Sequence, residues 1–134
     1  YYTPDISDLH IGYKCETKVQ PYPNWVNTKI IEGEDITFIQ EGIWEVRTRY
    51  LTKEQIEAES WEFKDSFNYE DELREIFKKA EFIMEYNYKN NELIIRKGSW
   101  YPEETKYQGI CPSINEFRYI TENLLKIKYW IITK

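Results

Sequence analysis

Polar and apolar residues alternate along much of the first 50 residues, in the pattern of half-buried β-strands. The alternation is clearest at residues 10–19 and 43–50, and it is weaker at residues 25–31. The sequence Glu-Gly-Glu-Asp at 32–35 is typical of a turn, and residues 1–8, with a proline and an Asp/Ser cluster, predict an extended arm. The pattern therefore predicts three strands, joined by turns, behind a short arm.

Helical spacing begins after residue 50. Thr52 and Gln55 have the spacing of a capping box and predict a short helix to about residue 60. Asn68 is a suitable N-cap for a second helix, which would have an acidic first turn at 70–72. A stripe of apolar residues would then form the buried face of that helix: Leu73, Ile76, Phe77 and Ala80.

The next part of the chain predicts a β-hairpin followed by a short strand. Residues 82–88 and 92–97 have strand character on either side of Lys89-Asn90-Asn91, where asparagine tolerates the positive φ of a tight turn. Residues 107–110 predict another strand, which would extend the sheet.

The clearest helix begins near residue 113. Ser113 and Glu116 form a capping box, and apolar residues then recur at helical spacing: Phe117, Ile120, Leu124 and Ile127. Residues 128–134 are rich in β-formers and predict a terminal strand or a tail. Together these elements predict a single α+β domain over residues 1–134, with a mostly antiparallel sheet of four to six strands and two or three helices.

Composition adds two features to this picture. Aromatic residues make up 17% of the 134 residues, which suits either a core filled with large rings or an aromatic binding surface. The formal net charge of −6 comes entirely from residues 52–75, which hold nine carboxylates and three basic side chains. A charge concentrated in this way attracts a basic partner or repels nucleic acid.

The residues that usually carry catalysis are scarce. His10, the only histidine, lies on the polar side of the first strand and has no recognisable nucleophile context. Cys15 and Cys111 lack metal-type spacing and predict reduced, buried thiols rather than a disulfide. Glu54 and Glu57 share a helical face, but a solvated acidic face explains them more simply than a catalytic pair. No nucleotide-binding loop is present, so the sequence predicts a non-enzymatic protein with no cofactor and no metal.

Charge also bears on the partners. An acidic chain with a small basic edge, formed by Arg47, Arg49 and Lys53, lacks the broad positive field that phosphate binding requires. The sequence therefore predicts no direct binding of nucleic acid. It shows no apolar run of membrane-spanning length and no signal peptide, which predicts an intracellular protein without membrane contact.

The acidic segment is the best candidate for a partner-binding surface. The hypothesis is a docking face for a basic groove, with Trp61 or Tyr69 as an aromatic anchor and Arg47 and Arg49 nearby. The alternative is a pair of solvated helices joined by a loop. The carboxylates of the predicted surface are Glu54, Glu57, Glu59, Glu62, Asp65, Glu70, Asp71, Glu72 and Glu75.

Three stretches of the chain carry a resemblance to known proteins. The opening Tyr-Tyr-Thr-Pro-Asp-Ile-Ser-Asp-Leu-His-Ile-Gly-Tyr-Lys-Cys-Glu resembles the start of a family of small uncharacterised proteins, frequent in phages and prophages of Bacteroides- and Flavobacterium-like bacteria. Residues 46–57 are similar to the second signature of that family, and residues 109–125 to its closing strand and helix. The chain departs from the family pattern at residues 13–16 and in its tail at 129–131.

The resemblance implies a mobile-element origin, and with it a role in the cytoplasm of a bacterial host. Small acidic proteins of that origin are often counter-defence inhibitors, including anti-CRISPR proteins, which occupy the basic nucleic-acid channel of a nuclease. By this analogy the partner is a host defence nuclease, with the type VI-B CRISPR effector as the favoured target. The alternative is a structural or assembly protein of a phage particle, in which the arm 1–8 and the tail 128–134 would contact neighbouring copies.

Overall fold

A computed structural model describes residues 1–19, 21–98 and 104–133 of the chain, with side chains as far as residue 124. The chain divides into two compact units, Tyr1–Tyr50 and Leu51–Lys134, which we call unit 1 and unit 2.

Unit 1 is built on a three-stranded antiparallel sheet with the order β2-β1-β3. Its core holds apolar side chains from the sheet, from the helix and from the segment before β1: Leu9, Tyr13, Cys15, Ile30, Ile39 and Val46. The elements are a short 3-10 helix at Ile6–Asp8, then β1 (Lys14–Val19), β2 (Val26–Lys29), α1 (Gly33–Gln40) and β3 (Trp44–Arg47).

Two predictions for this part of the chain are wrong. Residues 1–8 are not an extended arm throughout, because Asp5 caps the 3-10 helix by accepting a hydrogen bond from the Ser7 N–H. Residues 32–35 are not a simple turn but begin α1. The Asp35 carboxylate accepts hydrogen bonds from the N–H groups of Ile31 and Glu32, at 2.9 and 3.2 Å, and so satisfies donors at the start of the helix.

Unit 2 is a five-stranded antiparallel sheet in which the strands lie in sequence order, β4-β5-β6-β7-β8. Side chains from one face of the sheet form a core with side chains from the two helices, Ile56 of the first and Phe117 of the second among them. The elements are α2 (Lys53–Ala58), β4 (Glu62–Tyr69), β5 (Glu72–Lys79), β6 (Phe82–Asn87), β7 (Glu92–Lys97), β8 (Glu104–Ile110) and α3 (Ile114–Thr133).

The predicted helix at residues 68–80 is wrong, because this part of the chain forms the turn and second strand of a β-hairpin. Phe77 lies opposite Phe63 on one side and Met84 on the other, so its ring is buried by sheet pairing. The sequence of β5 does not show the apolar–polar alternation of a strand, because Glu75 and Lys79 occupy core-side positions that apolar residues normally hold.

The other predictions for unit 2 are largely confirmed. Thr52 and Gln55 form the capping box of α2, and the 82–97 hairpin and a strand ending at Ile110 are present. Phe117 is buried and Ile120 and Leu124 pack against the core, whereas the side chain of Ile127 lies outside the described part. Residues 128–133 continue α3, so the predicted terminal strand or tail is wrong there, and residue 134 is outside the described residues.

The α+β class is confirmed: the described residues form three α-helices and antiparallel sheets of three and five strands. The strands are divided between two sheets, whereas the sequence predicted one sheet of four to six. Most strands were recognised from short windows of sequence, because the alternation of apolar and polar residues is a local signal.

Both cysteines are buried and free, as expected. Burial raises the pKa of Cys15 to about 11, with a smaller contribution from the adjacent Glu16 carboxylate, and burial also raises the pKa of Cys111. At pH 8 a thiol with a pKa near 11 is on the order of 100-fold less ionised than an ordinary cysteine.

We therefore expect neither thiol of the folded protein to react with Ellman's reagent (DTNB) at pH 8 within minutes, and both to react in guanidinium chloride. An Ala58→Cys variant supplies the control, since Ala58 is exposed at the end of α2 and its replacement should react at once. Rapid labelling of the folded wild-type protein would contradict the burial of these side chains.

Candidate interaction surface

The acidic segment 52–75 forms α2, the edge strand β4 and the start of β5. We call β4, β5 and the turn between them, residues 62–79, the acidic hairpin. Glu70 and Asp71 form its turn with φ of 52° and 63°, the left-handed conformation that a two-residue type I′ turn requires at both positions. The hairpin therefore ends in two adjacent carboxylates.

The tip of the hairpin combines these charges with exposed apolar side chains. Phe67, Tyr69 and Leu73 are 38%, 57% and 43% exposed, in strands whose other apolar members are more buried. Glu70 and Asp71 are exposed in the turn between them. Phe67 and Tyr69 lie on one face of the hairpin and Leu73 lies on the other, with the two carboxylates at the end between the faces. We call these five residues the hairpin tip. Exposed aromatic side chains beside charged groups are typical of protein-binding surfaces.

Two carboxylates of β5 instead make contacts within unit 2. Glu72 accepts a hydrogen bond from the Asn87 amide at 2.7 Å and contacts Arg74 at 3.3 Å, and these partners lower its pKa. Glu75 is buried and lies 3.9 Å from the Lys53 ammonium. Burial raises the pKa of Tyr88, and the Glu75 carboxylate raises it further. Neither Glu72 nor Glu75 is available to a partner without loss of these contacts.

Glu59 and Trp61 are also held by contacts within unit 2, the first half-buried and the second buried. The Glu59 carboxylate pairs with Arg118 of α3, and its backbone carbonyl accepts a hydrogen bond from the Lys79 ammonium at 2.8 Å. Trp61 is 3% exposed and its ring lies 6.1 Å from that of Phe117. The hypothesis that Trp61 is a surface anchor is therefore wrong, whereas Tyr69 remains exposed.

The two carboxylates of β4 have partners close to them in sequence. Glu62 pairs with Lys64 at 3.1 Å. Asp65 accepts a hydrogen bond from the Ser66 N–H at 2.8 Å, next to a register shift between Phe63 and Asp65. A capped N–H and an irregular register are devices that protect an edge strand against pairing with another strand. We conclude that β4 is guarded against strand addition, and that its side chains are the accessible part.

Five of the predicted carboxylates are exposed and have no ion pair within the described part of the chain: Glu54, Glu57, Asp65, Glu70 and Asp71. The first two lie on α2, the third lies on β4, and the last two form the hairpin turn. The sequence alone did not separate these five from the other four, because the difference depends on the cations that the fold places beside those four.

The predicted arginines belong to unit 1. The Arg47 guanidinium donates two hydrogen bonds to Glu16, at 2.8 and 3.0 Å, and lies 4.1 Å from the ring centroid of Tyr1 and 4.3 Å from that of Trp25. The hydrogen bonds from Arg47 lower the pKa of Glu16. Arg49 is exposed and lies 5.6 Å from the Tyr1 centroid. Arg47 is thus held in an ion pair and an aromatic stack.

No group of three or more His, Cys, Asp or Glu that could hold a metal ion occurs among the described residues. In the same part of the chain, no helix combines the length and apolarity that crossing a membrane requires. Comparison with protein-family models, with curated proteins and with solved structures finds no match for this chain.

Proposed function

We propose that this chain is a non-enzymatic, phage- or prophage-encoded inhibitor that binds a host defence nuclease through the hairpin tip and the acidic face of α2. The observation that carries the proposal is the hairpin tip, where two carboxylates lie at the end of the hairpin, beside two exposed aromatic side chains on one face and an exposed leucine on the other. A surface of this kind uses charge to guide association and apolar contact to hold the complex.

The class of partner follows from charge. A nuclease keeps its nucleic-acid channel positive, because each bound phosphate must be neutralised by a cation. A hairpin with two carboxylates in its turn is opposite in charge to such a channel. An RNA-guided nuclease of a Bacteroides-like host, the type VI-B CRISPR effector in particular, is the target that the family resemblance favours, and the host cytoplasm is then the site of action.

A different class of function has support from unit 1. Ile11, Tyr22 and Ile31 of unit 1 are 67%, 69% and 75% exposed. Such residues suit contacts between copies in a phage particle. This second candidate predicts self-association, which the inhibitor does not require.

The charge of the four exposed carboxylates on α2 and in the hairpin turn provides the first test. Lysine replacements at Glu54, Glu57, Glu70 and Asp71 should slow association with the captured nuclease by about 10-fold or more at low salt, because steering depends on local charge. The measurement is a pull-down from lysate of a Bacteroides-like host, at low and high salt, read by mass spectrometry, followed by association kinetics with the purified partner.

A matched control separates a local surface from total charge. Lysine replacements at the exposed residues Asp8, Glu34, Glu41 and Glu122 change the net charge by the same amount outside the proposed surface. They should alter the association rate by no more than about 3-fold. Equal losses in the two variants would remove the hairpin from the proposal, and recovery of only the protein itself or of particle proteins would favour the assembly role.

A further inference from the structure

Unit 1 contains a cavity of about 590 Å³ that the acidic hairpin does not use. One wall is the N-terminal segment, and the other is β3 with the end of α1. The volume lies within the range of pockets that bind small molecules or single peptide segments. We call this cavity the β3 cleft. The residues that line it and that bear on its chemistry are Tyr1, Pro4, Trp25, Trp44, Val46 and Arg47.

The edge of β3 is open along this cleft. Thr48 exchanges two backbone hydrogen bonds with Tyr2, at 2.7 and 2.8 Å, so its N–H and C=O point away from β1. In a strand the direction of these groups alternates from residue to residue, so those of Val46 and Trp44 point the same way. β1 pairs with the opposite side of β3. Among the described residues, no hydrogen bond satisfies these groups of Val46 and Trp44.

Proline explains why the N-terminal segment does not close this edge. Continuing the pairing of Tyr2 with Thr48 in antiparallel register places Pro4 opposite Val46. Pro4 has no N–H and cannot complete the next pair of hydrogen bonds. Asp5 then caps the 3-10 helix that follows, which ends any strand-like course of the segment.

The side chains around the open edge define what can enter. The Arg47 guanidinium is held between the rings of Tyr1 and Trp25, and its Nε and Nη2 are bonded to Glu16. Its Nη1 has no hydrogen-bond partner among the described atoms and can donate to a carboxylate. The ring of Trp44 adds a further aromatic wall. The cleft thus offers flat apolar surfaces beside a fixed cationic donor.

We propose that the β3 cleft binds an extended segment of a partner protein by strand addition, with an aromatic side chain of that segment in the cavity and a neighbouring acidic side chain on Arg47. Backbone pairing with Val46 and Trp44 supplies the affinity, and the ring-lined cavity supplies the selectivity. This site is independent of the hairpin tip and of the function proposed for it.

A polypeptide fits the cleft better than a nucleobase does. A base would stack on the rings, but it would leave a row of backbone donors and acceptors along β3 without partners. An extended peptide satisfies the same groups at the spacing of a strand. Among the described residues that line the cleft, Arg47 is the one basic side chain, whereas a nucleic-acid backbone needs several cations to neutralise its phosphates.

The probe for the test is the capped peptide acetyl-Val-Asp-Phe-Thr-Val-amide, titrated into the ¹⁵N-labelled full chain and followed by NMR. We expect saturable shifts of the Val46 and Trp44 amides and of the Trp25 indole N–H. Replacing Phe by Ala or Asp by Lys in the peptide should weaken binding by about 10-fold each. A peptide that is N-methylated at the alternate residues whose N–H groups face β3 should not bind. A peptide that is N-methylated at the other residues should keep its affinity within about 3-fold.

Protein variants supply the second part of the test. Trp25→Ala removes one wall of the Arg47 stack and should weaken peptide binding by about 10-fold. Tyr22→Ala removes another aromatic side chain, exposed and outside the cleft, and should change it by less than about 2-fold. The proposal is overturned if the peptide produces no shifts up to about 1 mM, if both N-methylated sets bind alike, or if a uridine trinucleotide shifts the cleft signals and the peptide does not.

Discussion

Replacing Phe77 by alanine is expected to lower the free energy of unfolding by about 3–5 kcal/mol. Phe77 is fully buried in β5, between β4 and β6 of the five-stranded sheet, where its ring lies 5.7 Å from that of Phe63 and its backbone pairs opposite Met84. Alanine would leave a cavity that neighbours held in two adjacent strands cannot fill. The loss is measured by chemical denaturation, followed by circular dichroism and by tryptophan fluorescence.

Phe67 provides the matched control on the partner strand. It is 38% exposed at the hairpin tip, so Phe67→Ala should cost less than about 1 kcal/mol. The two substitutions delete the same atoms and differ in burial. A similar loss of stability in both variants would contradict the difference in burial between Phe67 and Phe77.

Trp61→Ala is expected to have a comparable effect, about 3–5 kcal/mol, because the indole is 3% exposed and packs against Phe117. This result would separate the fold from the sequence hypothesis, in which Trp61 is a binding anchor at the surface. A surface anchor could be truncated with little change in stability. Tyr69→Ala, at a position 57% exposed, should reduce partner binding and leave the denaturation midpoint nearly unchanged.

Trp61→Phe tests the same position by a milder change. Phenylalanine keeps most of the apolar volume, and the indole N–H that it removes has no hydrogen-bond acceptor among the described atoms. A buried donor without a partner costs about 1–3 kcal/mol, which offsets part of the lost packing. We therefore expect a net change within about 1.5 kcal/mol. Full loss of stability in Trp61→Phe would show that the indole N–H has a partner that stabilises the fold.

Elements with local signals were predictable from the sequence. The capping box at Thr52 and Gln55 brings its donors and acceptors together within four residues, so its spacing alone predicts α2. Alternation predicted β1, β3 and the 82–97 hairpin for the same reason. α1 was missed because Asp35 looked like a turn residue, although its carboxylate satisfies the first donors of a helix.

The acidic hairpin was missed because polar residues occupy core-side positions. Glu75 and Lys79 find Lys53 and the Glu59 carbonyl as partners, and these partners are distant in sequence. Without them, the spacing of Leu73, Ile76 and Phe77 resembles a helical stripe. The pairing of β5 with two strands decides the outcome, because only there is Phe77 buried on both sides.

The sequence by itself determined the α+β class, the buried thiols and the location of the net charge, since composition and short-range periodicity carry these properties. Only the tertiary structure decided which carboxylates are free. It paired Glu59 with Arg118, and it left Glu70 and Asp71 exposed at a turn. It also opened the edge of β3 beside Pro4. The reason is that exposure and ion pairing depend on neighbours distant along the chain, which no local pattern specifies.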